Sequence, residues 1–125
     1  MREVCSGVLG VQKSKFYAHV YRLEGGEDPE HVVADVLREH RRKYKKAVHH
    51  CWALRSSYGL ERYKDDGEVG HPGKVLLEVL RNNGLEEHII VVSRIFGGVK
   101  LGVGGVSRAF REVAENTMGM MDSCG

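Results

Sequence analysis

Four consecutive aliphatic residues, Ile89 to Val92, constrain the fold of this chain more than any other segment. The run is far shorter than the roughly 20 residues that cross a bilayer. It lies within a strand predicted over His88 to Ile95. Because successive side chains of a strand point to opposite faces, both faces of this strand must be buried. We therefore expect it to lie in the centre of a sheet.

Length and composition indicate one small globular domain. The chain has 125 residues, of which 42% are hydrophobic and 29% charged, which is enough for a core without metal or disulfide support. We expect a single domain over residues 1–122 and a disordered end at residues 123–125. The net charge of +2, from 19 basic and 17 acidic residues, is too small to indicate nucleic acid or a membrane surface by itself.

Cysteine usage and the first residues favour a reducing compartment. Cys5, Cys51 and Cys124 are an odd number without close spacing, which favours free thiols. The first ten residues lack the apolar core of a secretory signal. We therefore expect a cytoplasmic monomer that does not cross a membrane.

Apolar periodicity and punctuation residues predict the other elements. Asp28 can cap a helix that Pro29 begins and that runs to about Tyr44. The predicted strands cover residues 3–9, 15–23, 48–58 and 88–95, with a short one near Tyr63, and the later helices follow Pro72-Gly73 and run from about Gly105 to Thr117. This order predicts an α/β (α+β) two-layer sandwich, in which helices pack on one mixed sheet.

The most unusual segment is glycine-rich, runs from Phe96 to Gly105 and follows the predicted central strand. Its five glycines are Gly97, Gly98, Gly102, Gly104 and Gly105. Glycines let backbone N–H groups approach a ligand, and the positive end of the following helix favours an anion. The P-loop and dinucleotide patterns are both absent. This glycine loop therefore indicates either a site for phosphate or another anion, or tight turns that allow close helix packing.

The acidic turn, formed by Asp65, Asp66, Gly67 and Glu68, offers three carboxylates in four residues. Such clusters can hold Mg²⁺ together with water and a substrate phosphate. They also occur as ordinary solvated turns, which is the interpretation we favour because the sequence has no second acidic cluster. We therefore expect no metal site.

The segment His49-His50-Cys51 offers metal ligands and a nucleophile. Adjacent strand residues face opposite ways, so His49 and His50 cannot easily bind one ion. A cysteine nucleophile would need a base from another element. We favour a packed thiol and a hydrogen-bonded imidazole.

A basic run lies at the end of the first predicted helix, with only Glu39 in opposition. Its cations are Arg38, Arg41, Arg42, Lys43, Lys45 and Lys46. The helix dipole favours cations at this end, which predicts a solvated turn. The alternative is a patch that follows an RNA backbone. The low aromatic content, 7%, does not support recognition by base stacking.

Several stretches together resemble the Impact family, which includes the bacterial YigZ-type proteins. The matching stretches, in family order, are Ser14-Lys15-Phe16 with Ala18, Ala47-Val48-His49 with Trp52-Ala53, Arg62-Tyr63 with the acidic turn, and Arg94 through Val106 with Arg108-Ala109-Phe110. They extend over nearly the whole chain, and the last is long and specific. The resemblance implies a fold like the second domain of ribosomal protein S-five, which by itself does not select a function.

The resemblance also implies a role in translation. Eukaryotic members of the family interfere with activation of the kinase that phosphorylates an initiation factor, by competing for its activator. This sequence departs from the family between Val69 and Val75, where the family pattern has Ser and Thr hydroxyls that could bind an anion or cap a helix. Gly73-Lys74 is retained, and Lys74 can still reach a phosphate.

Three functional hypotheses follow. The first is a non-enzymatic regulatory domain that acts in translation control or in a stress response by binding a protein of the translation machinery. Its surface comprises the acidic turn, Lys74, Arg94, Phe96, Lys100, Arg108 and the loop glycines. The second is an RNA-binding domain that uses the basic run and the glycine-loop cations. The third is an enzyme on a phosphorylated small molecule, with phosphate in the glycine loop and Mg²⁺ on Asp65 or Asp66. The sequence provides no identifiable general base for it, so we expect a protein without catalytic activity and without a cofactor.

Overall fold

The computed structural model describes residues 1–121, which form five strands and three helices. In chain order these are β1 (Arg2–Val11), β2 (Ser14–Arg22), α1 (Pro29–Lys43), β3 (His49–Arg55), β4 (Glu61–Lys64), α2 (Pro72–Asn82), β5 (His88–Ile95) and α3 (Gly102–Gly119). The expectations for residues 122–125, including the free thiol of Cys124 and the disordered end, lie outside the described residues. No helix within residues 1–121 has the length and apolar character needed to cross a membrane.

The five strands form one sheet in the order β1-β2-β5-β3-β4. All four neighbouring pairs are antiparallel, so the prediction of a mixed sheet is wrong. The helical crossovers do join parallel strands, β2 to β3 through α1 and β4 to β5 through α2. In each crossover one antiparallel strand lies between the two, β5 in the first and β3 in the second. No parallel strands are therefore neighbours.

The central strand is buried on both faces, as its apolar run predicts. Ile90 and Val92 of β5 belong to a core with α2 and α3, whereas Ile89 and Val91 belong to a second core with α1. The predicted α+β sandwich of one sheet with packed helices is confirmed. It has a third layer rather than two, because α1 lies alone on the face opposite α2 and α3.

The element boundaries follow the predicted punctuation with one difference that affects the candidate site. Asp28 caps α1 by accepting a hydrogen bond from the Glu30 N–H. The last helix begins at Gly102 rather than Gly105. The last four residues of the glycine loop, 102–105, therefore form the first turn of α3, and residues 96–101 connect β5 to it.

Candidate functional site

The acidic turn is fastened to the neighbouring strand β3. One Asp66 carboxylate oxygen accepts a hydrogen bond from the His50 backbone N–H at 2.8 Å, and the Asp66 carbonyl accepts one from His49 Nδ1 at 2.8 Å. The Asp65 carbonyl accepts a bond from the Cys51 thiol at 3.1 Å. The packed thiol and hydrogen-bonded imidazole predicted here are confirmed. Burial raises the pKa of Cys51, with the three nearby carboxylates adding to the effect, so the thiol is not an activated nucleophile.

The Asp65 side chain caps α2 from outside the helix. Its Oδ1 accepts a hydrogen bond from the Gly73 N–H at 2.8 Å, while His71 at the N-cap position makes no side-chain cap. A carboxylate thus occupies the position at the positive helix end where an anion would bind. Lys74, in the first turn, is exposed. The family's hydroxyls could supply such a cap, whereas here Asp65 supplies it from eight residues before Gly73.

Glu68 and Arg94 form a buried ion pair. The Arg94 Nη1 to Glu68 Oε2 distance is 2.8 Å, and the two side chains are only 6% and 4% exposed. The Arg94 guanidinium lies between the rings of Phe16 and Phe96, at 5.5 and 5.6 Å from their centroids. His49 Nε2 is 3.6 Å from the same carboxylate oxygen. Glu68 thereby fixes the orientation of Arg94, which in turn supports the exposed Phe96 ring.

The start of the glycine loop passes directly over the β1–β2 turn. The Gly97 N–H donates to Ser14 Oγ at 3.1 Å, and Ser14 is fully buried. A Cβ atom on Gly97 would lie 2.1 Å from the Lys13 carbonyl carbon. Gly97 is therefore required for close backbone packing. For this part of the loop, that favours the interpretation as a tight turn over the interpretation as an anion site. The Gly97 N–H is used within the chain and does not face a ligand.

The rest of the glycine loop lies beside a separate groove. Gly98 and Gly102 have positive φ angles, and Gly104 and Gly105 lie in the first turn of α3. A groove of about 710 Å³ is lined by Val11, Gln12, Val99, Lys100, Leu101, Gly105, Arg108, Ala109, Arg111, Glu112 and Glu115. No side chain within residues 1–121 caps the N-terminus of α3. Binding of an anion at the N-terminus of α3 stays a prediction.

The predicted binding surface therefore has two parts. In the first part, Arg94 contacts both Glu68 of the acidic turn and the ring of Phe96. In the second, Lys100 and Arg108 line the groove. The two parts meet at the start of α3, where the Ser107 hydroxyl donates to the Gly70 carbonyl. Lys74 is exposed near the first part. Within residues 1–121 no three metal-ligating side chains come together.

The basic run is exposed and leads toward the same end of the sheet. Lys45 and Lys46 follow α1, and the next strand is held there by the Val48 N–H, which donates to the Arg94 carbonyl at 2.9 Å. Arg38 is paired with Asp35. Because α1 and α3 cover opposite sheet faces, the basic run and the groove cations share an end of the sheet but not a face.

A network of buried and half-buried histidines under α1 was not predicted from the sequence. The Tyr21 hydroxyl is 3.0 Å from His40 Nε2, and Ser93 Oγ is 2.8 Å from His40 Nδ1 and 2.7 Å from His50 Nδ1. His19 Nε2 joins the Tyr44 hydroxyl at 2.6 Å. The single Ser93 proton can serve only one imidazole, so the other must donate. The sequence did contain a signal for this network, because the polar side chains of His19 and Tyr21 lie on the same face of one predicted strand.

This network predicts loss of stability in acid. Burial, together with nearby cationic groups, lowers the pKa of His40 from 6.5 to about 3. Unfolding therefore takes up a proton between these pH values, and the stability contributed above pH 6.5 is lost as the pH falls toward 3. We expect the His40→Gln variant to reduce this slope by up to about 1.4 kcal/mol per pH unit, measured by urea unfolding at several pH values. His31→Gln, an exposed site on the same helix, is the control; equal slopes in both variants would contradict the assignment.

Comparisons with known proteins agree on one family. The sequence model of the protein family described as the Impact N-terminal domain matches residues 12–118 of this chain. A protein from Haemophilus influenzae described as an IMPACT family member is 33% identical over 118 residues, which are 90% of this chain and 55% of that protein. The chain spans about half the length of the curated relatives it matches.

Two solved structures have the same fold. A crystal structure of a hypothetical protein superposes with a TM-score of 0.78 at 28% identity, over 94% of this chain and 61% of the other. The two-domain translational regulator Yih1 superposes with a TM-score of 0.57 at 25% identity, over 87% of this chain and 48% of Yih1.

Proposed function

This chain belongs to the Impact family, and from that premise we propose that it is a regulatory domain that acts in translation by binding a protein partner. The similarity to the translational regulator Yih1 supports a role in translation.

The observation that carries the binding proposal is the use made of the three carboxylates. Asp65 caps α2, Asp66 holds β3, and Glu68 pairs with buried Arg94. Each carboxylate accepts bonds from the chain itself, as in a scaffold, whereas an acid–base or Mg²⁺ site needs carboxylates directed at a substrate. The acidic turn is therefore best understood as the rigid support of a recognition surface.

The exposed side chains around that support have the composition of an interface. Phe96 is 44% exposed although its ring lies over Arg94. Val99 and Val103 are also exposed, and Lys100 and Arg108 line the adjacent groove. Aromatic and arginine side chains are the residues that most often dominate binding energy, and a rigid backbone beneath them limits the entropy cost of binding.

A cell-free translation reaction tests this proposal. We expect the purified chain to change the yield of a reporter protein and the Arg108→Glu variant to lose that effect, while its thermal unfolding midpoint stays within a few degrees. Arg22→Glu makes the same charge change at the other end of the sheet and is expected to retain the effect. Equal behaviour of the two variants, or a wild-type chain without effect, would contradict the proposal.

RNA binding is the second candidate, and the shared sheet end of the basic run and the glycine loop favours it. If about five phosphates are neutralised, the affinity for a short RNA duplex falls with salt at a log–log slope of about −4. Amide NMR shifts during titration are then expected at Lys45, Lys46 and Lys100. A flat salt response, or shifts confined to other surfaces, would exclude this candidate.

A further inference from the structure

Within residues 1–121, no strand lies beside the outer edge of β1, which leaves a row of backbone groups unpaired by the sheet. The two-residue β1–β2 turn has positive φ at Gln12 and Lys13, and Val11 pairs with Ser14. In such hairpins the residues that flank the turn exchange hydrogen bonds, and every second pair does so thereafter. The N–H and C=O groups of Ser6, Val8 and Gly10 therefore point away from β2.

This edge lacks the features that normally prevent strand association. The bulge in β1 lies between Glu3 and Cys5, so residues 5–11 are regular, and they contain neither charge nor proline. The other edge strand, β4, has four residues, three of them charged. Long uncharged edges template pairing with a further strand, whereas short charged edges resist it.

We propose that β1 pairs with β1 of a second copy of this chain, across a two-fold axis at Val8. In this antiparallel register the two Val8 residues exchange hydrogen bonds, and Ser6 of each copy exchanges them with Gly10 of the other. All the outward N–H and C=O groups of these three residues are then satisfied. An identical strand meets this register by two-fold symmetry, so each pairing made by one copy is repeated by the other.

The side chains near this edge also favour a second copy of the chain as the partner. Val8 is 61% exposed and lies opposite Tyr17, whose ring stacks on Tyr44 at a centroid distance of 4.5 Å. Across the two-fold axis, these three side chains and their copies form one continuous row on the α1 face. The paired segment is short, so the interface falls in the class below about 1,200 Å², which is typical of weak association. This proposal is independent of the proposed function and replaces the monomer expected from sequence.

Sedimentation of the full chain in reducing buffer, over a concentration series, tests the register. We expect the wild-type mass to rise from 14.0 kDa toward twice that value. Val8→Lys and Val8→Glu place like charges opposite each other, and each variant is expected to weaken the dimer at least about tenfold. An equimolar mixture of the two variants is expected to restore it, because unlike charges then meet at the axis.

The controls separate this interface from general surface effects. Val48→Lys changes a valine that is 53% exposed away from the edge, and we expect it to dimerise like the wild type. Circular dichroism verifies that each variant is folded. A wild-type chain that stays at 14.0 kDa throughout, a Val8→Lys chain that dimerises normally, or a mixture that stays monomeric would each overturn the proposal.

Discussion

Arg94→Met is expected to lower the free energy of unfolding by about 3–5 kcal/mol, the largest effect of any side-chain replacement at the candidate site. The substitution removes the partner of Glu68, whose side chain is only 4% exposed. Glu68 then keeps only the Val69 N–H at 3.0 Å and His49 Nε2 at 3.6 Å. Neither replaces the charge-assisted bond from the guanidinium, so the buried carboxylate keeps most of its desolvation cost. Phe96 also loses the guanidinium beneath its ring. Urea unfolding followed by circular dichroism measures the change.

Two further variants separate the ion pair from a general loss of packing. Replacing both partners, Arg94→Met with Glu68→Leu, also removes the buried carboxylate that has lost its arginine and is expected to recover most of the lost stability. Arg108→Met changes an exposed arginine nearby and is expected to alter stability by less than about 0.5 kcal/mol. If the single and double variants were equally unstable, packing rather than charge pairing would be the function of Arg94.

Gly97→Ala is expected to cost about 3 kcal/mol or more. The new methyl group would lie 2.1 and 2.2 Å from the Lys13 carbonyl carbon and oxygen and 2.5 Å from the Ser14 nitrogen. These are backbone atoms of a tight turn, so they cannot move aside as a flexible side chain would. Thermal and urea unfolding measure the loss.

Other glycines provide an internal scale for this effect. A Cβ on Gly98 meets nothing within 4 Å, but its φ of +91° makes a substitution cost about 1 kcal/mol or more. Gly25 has neither close neighbours nor a positive φ, so Gly25→Ala is expected to change stability by less than about 0.5 kcal/mol. The expected order of destabilisation is Gly97, then Gly98, then Gly25. An effect at Gly97 no larger than at Gly25 would show that the backbone of the β1–β2 turn can move to accommodate the methyl group.

Much of the fold was predictable because its elements have strong local signals. The apolar run in β5 and the cap at Asp28 are properties of neighbouring residues, and both were correctly predicted. The antiparallel sheet was not, since strand order depends on which strands lie between those joined by a crossover. Hydrophobic periodicity contains no information about that order.

The candidate site shows the same division between local and distant information. The glycine loop and the acidic turn were identified as segments, but the Glu68–Arg94 pair joins residues that are 26 positions apart. The network of His40, His50 and Ser93 was missed for the same reason, because its members come from three elements. Side chains of the basic run were predicted as exposed cations, and that property depends on composition alone.

The position of β5 determines how the chain must assemble as it is made. β5 lies between β2 and β3, although it is made after the other four strands within residues 1–121. Before residues 88–95 emerge, the β1–β2 hairpin and the β3–β4 pair share no strand and have no common sheet to join. The nascent chain therefore holds two separate halves until residues 88–95 are available. Their insertion joins the sheet and completes the core beneath α1, and α3, which follows, then closes the core that it shares with α2.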